Sequence, residues 1–259
     1  MTVVDGGNPK SEEAGANPVT ATETQPTGET SLPHITIKLF QTAAQDFAAL
    51  LTNTPLPDLY GATDGKAVGT KVESMFKAYL QARFDMPVGN AASGLDFPTL
   101  NLDLKVTSSR QPQSSCPFKE ATQKIYGLGY SLLVIVYSKR DDQAQRAAYL
   151  TIENVIYIDQ ARTGDFTLTK NIREIVGNVE ERPGSREAVI DDLDALLQDK
   201  NIPLDDTSRR RLAERLVDDV PSQGVLTISN ALQWRLQYNR AISTALAKTI
   251  APEVVDLHG

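Results

Sequence analysis

Leu132-Leu133-Val134-Ile135-Val136-Tyr137 runs six residues without a polar break. A strand that is apolar at every position buries both faces. That happens where layers cover both sides of a sheet, as in α/β folds with parallel strands. The run therefore predicts a central strand, and Ala148 to Ile158 supplies a neighbour. A third strand pattern lies upstream. Side chains alternate faces along a strand, so Leu100, Leu102, Leu104 and Val106 point one way, into a core, while Asn101, Asp103, Lys105 and Thr107 point the other. Two helical patterns come before it. Phe40, Ala43, Ala44, Phe47, Leu50 and Leu51 form one apolar face, ended by Pro55-Leu56-Pro57, and Val72, Met75, Phe76, Tyr79, Leu80 and Phe84 form a second. Gly65 and Gly69 precede that second pattern. Helix, strand, crossover, strand, strand predicts an α/β fold: a mixed central sheet flanked by helices.

Composition shifts mark the ends of this core. Residues 1–33 are rich in Gly, Pro, Thr, Glu and Asn and poor in large apolar residues, so a disordered N-terminal tail is expected, with order from about 34. Pro87 to Gly94 and Ser108 to Ser115 read as loops, and Lys119 to Tyr126 as helical. Near Glu180-Glu181-Arg182-Pro183-Gly184-Ser185 the pattern changes. Ala188 to Leu197, Thr207 to Val217 and Ser229 to Ala247 then show helical spacing. The division expected is a core over 34–180 and a C-terminal helical unit over 181–259, serving DNA binding or dimerisation.

Composition also narrows the chemistry. With one cysteine (Cys116) there is no disulfide framework and no cysteine-held zinc. Cys116 is expected to pack, because no histidine stands by to activate it. His34 and His258, near the two ends, are the only histidines, which rules out three-histidine zinc sites and argues against a Ser-His-Asp triad. No apolar run reaches 18 residues and the N-terminus lacks a signal-peptide pattern, so no membrane span and a cytoplasmic location are expected. The net charge is −7, but the tail 1–33 holds −4 of it, and residues 65–125 carry +3. An acidic total thus leaves a nucleic-acid ligand open.

The remaining chemistry belongs to carboxylates and lysine. In Leu95-Asp96-Phe97-Pro98-Thr99-Leu100-Asn101-Leu102-Asp103-Leu104-Lys105-Val106-Thr107-Ser108, one acid sits at a turn and a second shares a strand face with a lysine. Two carboxylates and an ammonium converging at a sheet edge suit divalent-metal-assisted hydrolysis of a phosphodiester. An edge strand with a plain salt bridge would show the same residues. Glu73 lies on the preceding helix, where Lys77 at i+4 offers it a simple ion pair.

With Glu73, Asp96, Asp103 and Lys105 in this order, the segment 65–108 resembles the PD-(D/E)xK nuclease superfamily, the fold of most type II restriction endonucleases. It is most similar there to the MutH-type nicking endonucleases and their restriction-enzyme relatives. In that group a helix glutamate precedes an Asp-Phe turn, and an acid-x-Lys strand follows after six intervening residues. Asp103 stands where that group usually has glutamate. The resemblance implies Asp96, Asp103, Lys105 and Glu73 as catalytic residues. Mg²⁺ would be bound by Asp96, Asp103 and the Leu104 carbonyl, and Lys105 would serve the attacking water. It implies sequence-specific cleavage of double-stranded DNA by a homodimer, with a cognate methyltransferase as a possible companion. A repair nickase and an inactive DNA-binding module are the alternatives.

Candidate DNA contacts follow from side-chain type. Gln111, Gln113 and Ser114 lie just past the acid-bearing strand. Asn230, Gln233, Gln237 and Arg240 fall on one face if 229–247 is a helix, and such side chains read adenine and guanine edges. A solvated helix face is the plain alternative. Trp234 and Tyr238 are expected in the core.

Overall fold

The computed structural model describes residues 31–86, 94–116, 119–177, 186–229 and 235–258. Most of the expected tail and of the Pro87–Gly94 loop, together with Asn230, Gln233 and Trp234, lies outside them.

Helix α1 spans Ile37–Thr52 and buries Phe40, Ala43, Ala44, Phe47, Ala48 and Leu51. Helix α2 spans Gly65–Gln81 and buries Val68, Val72, Phe76 and Leu80. It starts about two turns before the expected apolar stripe, so Gly65 and Gly69 lie inside it. Asp64 explains the early start: its carboxylate accepts the Lys66 N–H at 2.9 Å, capping the helix at that point.

Strands β1 (Leu102–Ser108), β3 (Ser131–Asp142), β4 (Ala147–Ile158) and β7 (Val254–Asp256) form the main sheet in the order β1-β3-β4-β7. β1 runs parallel to β3, and the other two pairings are antiparallel. The sheet is therefore mixed, as expected. The apolar run in β3 divides by alternation. Leu133, Ile135 and Tyr137 pack with α1 and α2, while Leu132, Val134 and Val136 face an opposite layer. β1 lies at the sheet edge, which leaves one side of its backbone open to other partners.

The opposite layer contains a small sheet of β2 (Gln113–Ser115), β5 (Thr227–Ile228) and β6 (Arg235–Gln237), ordered β2-β6-β5, and helix α7 (Asn239–Ala247). Short α3 (Gln123–Tyr126) precedes β3. A third cluster joins α3 to α4 (Phe166–Gly177), α5 (Arg186–Asp199) and α6 (Asp206–Asp218) through Ile125, Leu168, Ile172, Leu193 and Leu216. The sequence reading missed α4, although Leu168, Ile172 and Val176 recur at helical spacing. Asp165 caps it, accepting from Leu168 N–H at 2.9 Å, and its other oxygen takes the Ile228 N–H at 2.8 Å.

The last third corrects one expectation. It is not purely helical: α5 and α6 are helices, but residues 227–228 and 235–237 are strands, and β7 completes the main sheet. Within the segment expected as one helix over 229–247, the described residues 235–237 are strand and Asn239–Ala247 are helix. Arg235, Leu236, Gln237 and Tyr238 alternate exposed and buried, a period of two, and β6 pairs on both sides. Over so few residues a strand period and a helical i, i+4 match coexist, and sheet pairing decides between them.

Candidate active site

Asp96 is placed by aromatic packing. Its neighbour Phe97 is fully buried, with ring centroids 5.0 Å from Phe40 and 5.9 Å from Phe76. Phe97 and Leu102 exchange backbone hydrogen bonds of 3.0 and 3.2 Å, closing a tight loop whose last residue, Asn101, takes a left-handed backbone at φ 48°. The Asp96 carboxylate is thereby carried to the open edge of β1, where one oxygen accepts the Leu104 N–H at 3.0 Å. N–H and C=O of a strand residue leave on the same side, so the Leu104 carbonyl also points out at this edge.

Asp103 and Lys105 follow on one face of β1, ion-paired at 2.5 Å. Asp103 is buried. Burial, then contact with Asp96, pushes its carboxyl up to about 6 against the pull of Lys105. Asp96 goes the other way. Burial raises it, but hydrogen bonds with Asp103, Lys77, the Leu104 N–H and Glu73 together bring it down to about 2. Two neighbouring carboxylates whose proton affinities split in this way take up their protons as a pair, one well before the other.

Glu73 reaches this site through Lys77. The Lys77 ammonium pairs with Glu73 Oε1 and lies 2.9 Å from Asp96 Oδ1. The simple i,i+4 ion pair expected from sequence is present, and the same lysine also ties α2 to the turn carrying Asp96. A cleft of about 210 Å³ opens alongside, lined by Gly65, Lys66, Gly69, Thr70 and Glu73 of α2, by Leu104, Lys105 and Val106 of β1, and by Ser114. Lys66 and Thr70 escaped the sequence reading. Their signal is the spacing of Gly65 and Gly69, which leaves one helix face bare.

The structure also re-sorts the candidate DNA contacts. Gln113 in β2 is directly opposite Gln237 in β6. Ser114 lines the cleft and its hydroxyl bonds the buried Tyr238 hydroxyl. Gln111 is exposed in the turn before β2. Arg240 is the second residue of α7, with its guanidinium carbon 4.2 Å from the Phe166 ring centroid. Gln237 and Arg240 therefore do not share a helix face. Cys116 is buried, 3.2 Å from the Tyr130 hydroxyl, and burial pushes its thiol up, as fits a packing residue.

Among the described residues, no three His, Cys, Asp or Glu side chains are arranged to hold a metal ion. The donors present are two carboxylates and a strand carbonyl, all hard oxygens. Mg²⁺ keeps several waters and commonly takes one or two carboxylates plus substrate phosphates, so this donor set fits it.

Sequence comparison supplies what geometry alone leaves open. The family model described as type II restriction enzyme NspV matches residues 34–251. The chain belongs to that family. The type II restriction enzyme NspV of Nostoc sp. (strain ATCC 29411 / PCC 7524) is 50% identical over 211 residues, covering 82% of this chain and 92% of the relative. No solved structure matches. The family match spans the carboxylate pair and also α4 to α7, so the relationship reaches well beyond the 65–108 segment. Among the described residues no helix is long and apolar enough to cross a membrane.

Proposed function

We propose that this type II restriction endonuclease family member hydrolyses double-stranded DNA at a specific sequence with Mg²⁺, through a PD-(D/E)xK site made of Asp96, Asp103 and Lys105. The observation that carries this reading is the pair of carboxylates in contact at the open edge of β1, with Lys105 bonded to Asp103 and lining the neighbouring cleft. Asp96, Asp103 and the Leu104 carbonyl would hold the ion, which supplies Lewis-acid polarisation of the scissile phosphate.

The protein's own groups do the rest. Asp96 is pinned by the Leu104 N–H and Lys77, so it keeps its orientation without substrate. Lys105 donates to the attacking water and to phosphate oxygens as charge grows on them. The cleft between α2 and β1 receives the DNA backbone, with Lys66, Thr70 and Ser114 as phosphate partners. Such contacts position the duplex, while Gln111, Gln113, Gln237 and Arg240 are the side chains suited to base edges. Asn230 and Gln233 remain candidates for the same role. A homodimer acting in the cytoplasm would cut both strands of a symmetric site, with a methyltransferase of matching specificity protecting host DNA.

A plasmid digest tests this. Wild type with Mg²⁺ is expected to yield discrete fragments, and Asp103→Ala, Lys105→Ala and EDTA controls none. Nicked circles alone from wild type would replace double-strand cleavage with a MutH-like nicking activity. Binding without cleavage, across several metals, would leave a DNA-binding module.

A further inference from the structure

Lys77 is not part of the Asp-x-Lys motif, yet it touches two of the three acids gathered at the site. Its ammonium pairs with Glu73 and lies 2.9 Å from Asp96, and its nitrogen is 6.0 Å from the Phe97 ring centroid. Its side chain is about one-third exposed, and that of Asp96 less than one-fifth. Held between two carboxylates, the Lys77 ammonium is charged at neutral pH.

The charge pattern divides the site in two. Asp96 and Asp103 face one another on the β1 side, where Lys105 bonds Asp103. Glu73 and Asp96 face one another on the α2 side, and there a cation is already in place. Of the Asp96 oxygens, Oδ1 takes Lys77 and Oδ2 takes the Leu104 N–H. Each oxygen keeps one further acceptor direction, enough to serve an ion lying toward Asp103. Glu73 is committed to Lys77.

We infer that Lys77 is a positioning residue that fills, with its ammonium, the place between Glu73 and Asp96 that a second divalent ion would otherwise occupy, so that each chain binds one ion. This rests on the metal reading of Asp96 and Asp103. Counting side chains alone, Glu73, Asp96 and Asp103 stand against Lys77 and Lys105, a formal charge of −1. One divalent ion brings it to +1, and a second would bring it to +3 in a partly buried pocket. Replacing Lys77 by methionine removes the charge and leaves a flexible side chain that can turn aside. It leaves Glu73 and Asp96 as a second pair of oxygen donors.

The test counts bound Mn²⁺ per chain by electron paramagnetic resonance on the full chain at pH 7.5. Wild type, Lys77→Met, Lys77→Arg and the double variant Lys77→Met/Glu73→Gln are compared. One ion is expected in wild type and in Lys77→Arg, two in Lys77→Met, and one again in the double variant. In activity, the Mg²⁺ dependence should steepen from first order toward second in Lys77→Met alone. Two ions in wild type overturn the inference, whatever the variants do, as does a single ion in a folded Lys77→Met. No bound ion in wild type overturns the underlying metal reading, and the inference with it.

Discussion

Replacing Asp103 by asparagine should make the metal-free protein more stable at alkaline pH. The Asp103 side chain is only 10% exposed, and its carboxyl is raised from 3.8 to about 6 by burial and by Asp96. A group whose folded-state pKa is raised contributes stability that is whole below the unfolded value. That stability is lost as pH rises through the folded value. Here the loss sets in above about pH 4 and is complete above about pH 6. Two units at about 1.4 kcal/mol each give about 3 kcal/mol spent on ionising Asp103 in the folded apoprotein at pH 8. Asp96, lowered to about 2, contributes in the opposite sense, and that contribution is lost only as pH falls through about 2. Asparagine resembles the protonated acid and escapes the Asp103 penalty. Urea unfolding in EDTA should therefore show Asp103→Asn about 2–3 kcal/mol more stable than wild type at pH 8, with an unchanged denaturant slope. The difference should nearly vanish at pH 4. Saturating Mg²⁺ should narrow the gap at pH 8 by stabilising wild type. A variant less stable than wild type at pH 8, or a difference independent of pH, would refute the assignment of Asp103 as a strained carboxylate awaiting a cation.

Other perturbations separate fold from function. A Cβ at Gly69 would meet nothing within 4 Å, so Gly69→Ala should stabilise α2 by about 0.5–1 kcal/mol in thermal unfolding. A Cβ at Gly224 would overlap the Gly164 backbone, so Gly224→Ala should cost about 3 kcal/mol in urea unfolding by forcing apart the contact between the α4 start and β5. Tyr238→Phe removes the bond to the Ser114 hydroxyl at the cleft wall and should cost about 1 kcal/mol, with the loss read by calorimetry.

The elements that were legible in the sequence are those whose period is enforced over many residues. α1 and the apolar part of α2 carry stripes several turns long, and Leu132 to Tyr137 admits only a strand buried on both faces. The motif Asp96, Asp103, Lys105 was legible because strand alternation fixes which face each residue takes, and the tight loop closed by Phe97 and Leu102 adds Asp96 to them. α4 left a readable stripe that went unused.

What only tertiary structure decided falls where local patterns are short or ambiguous. Residues 235–237 satisfy both a helical and a strand period, and pairing with β2 and β5 selected the strand. That pairing brought Gln113 beside Gln237 across more than a hundred residues, a neighbourhood with no local signal. β7 is three residues long and exists because β4 offers it an edge. Lys77 is the clearest case. Its pairing with Glu73 follows from helix geometry four residues apart, but its reach to Asp96 depends on how the aromatic cluster of Phe40, Phe76 and Phe97 packs α2 against the turn before β1. The types of residue at the site, and the face each takes on its own element, are local properties of the chain. Distances between elements, and the electrostatic coupling that follows from them, are set by packing alone.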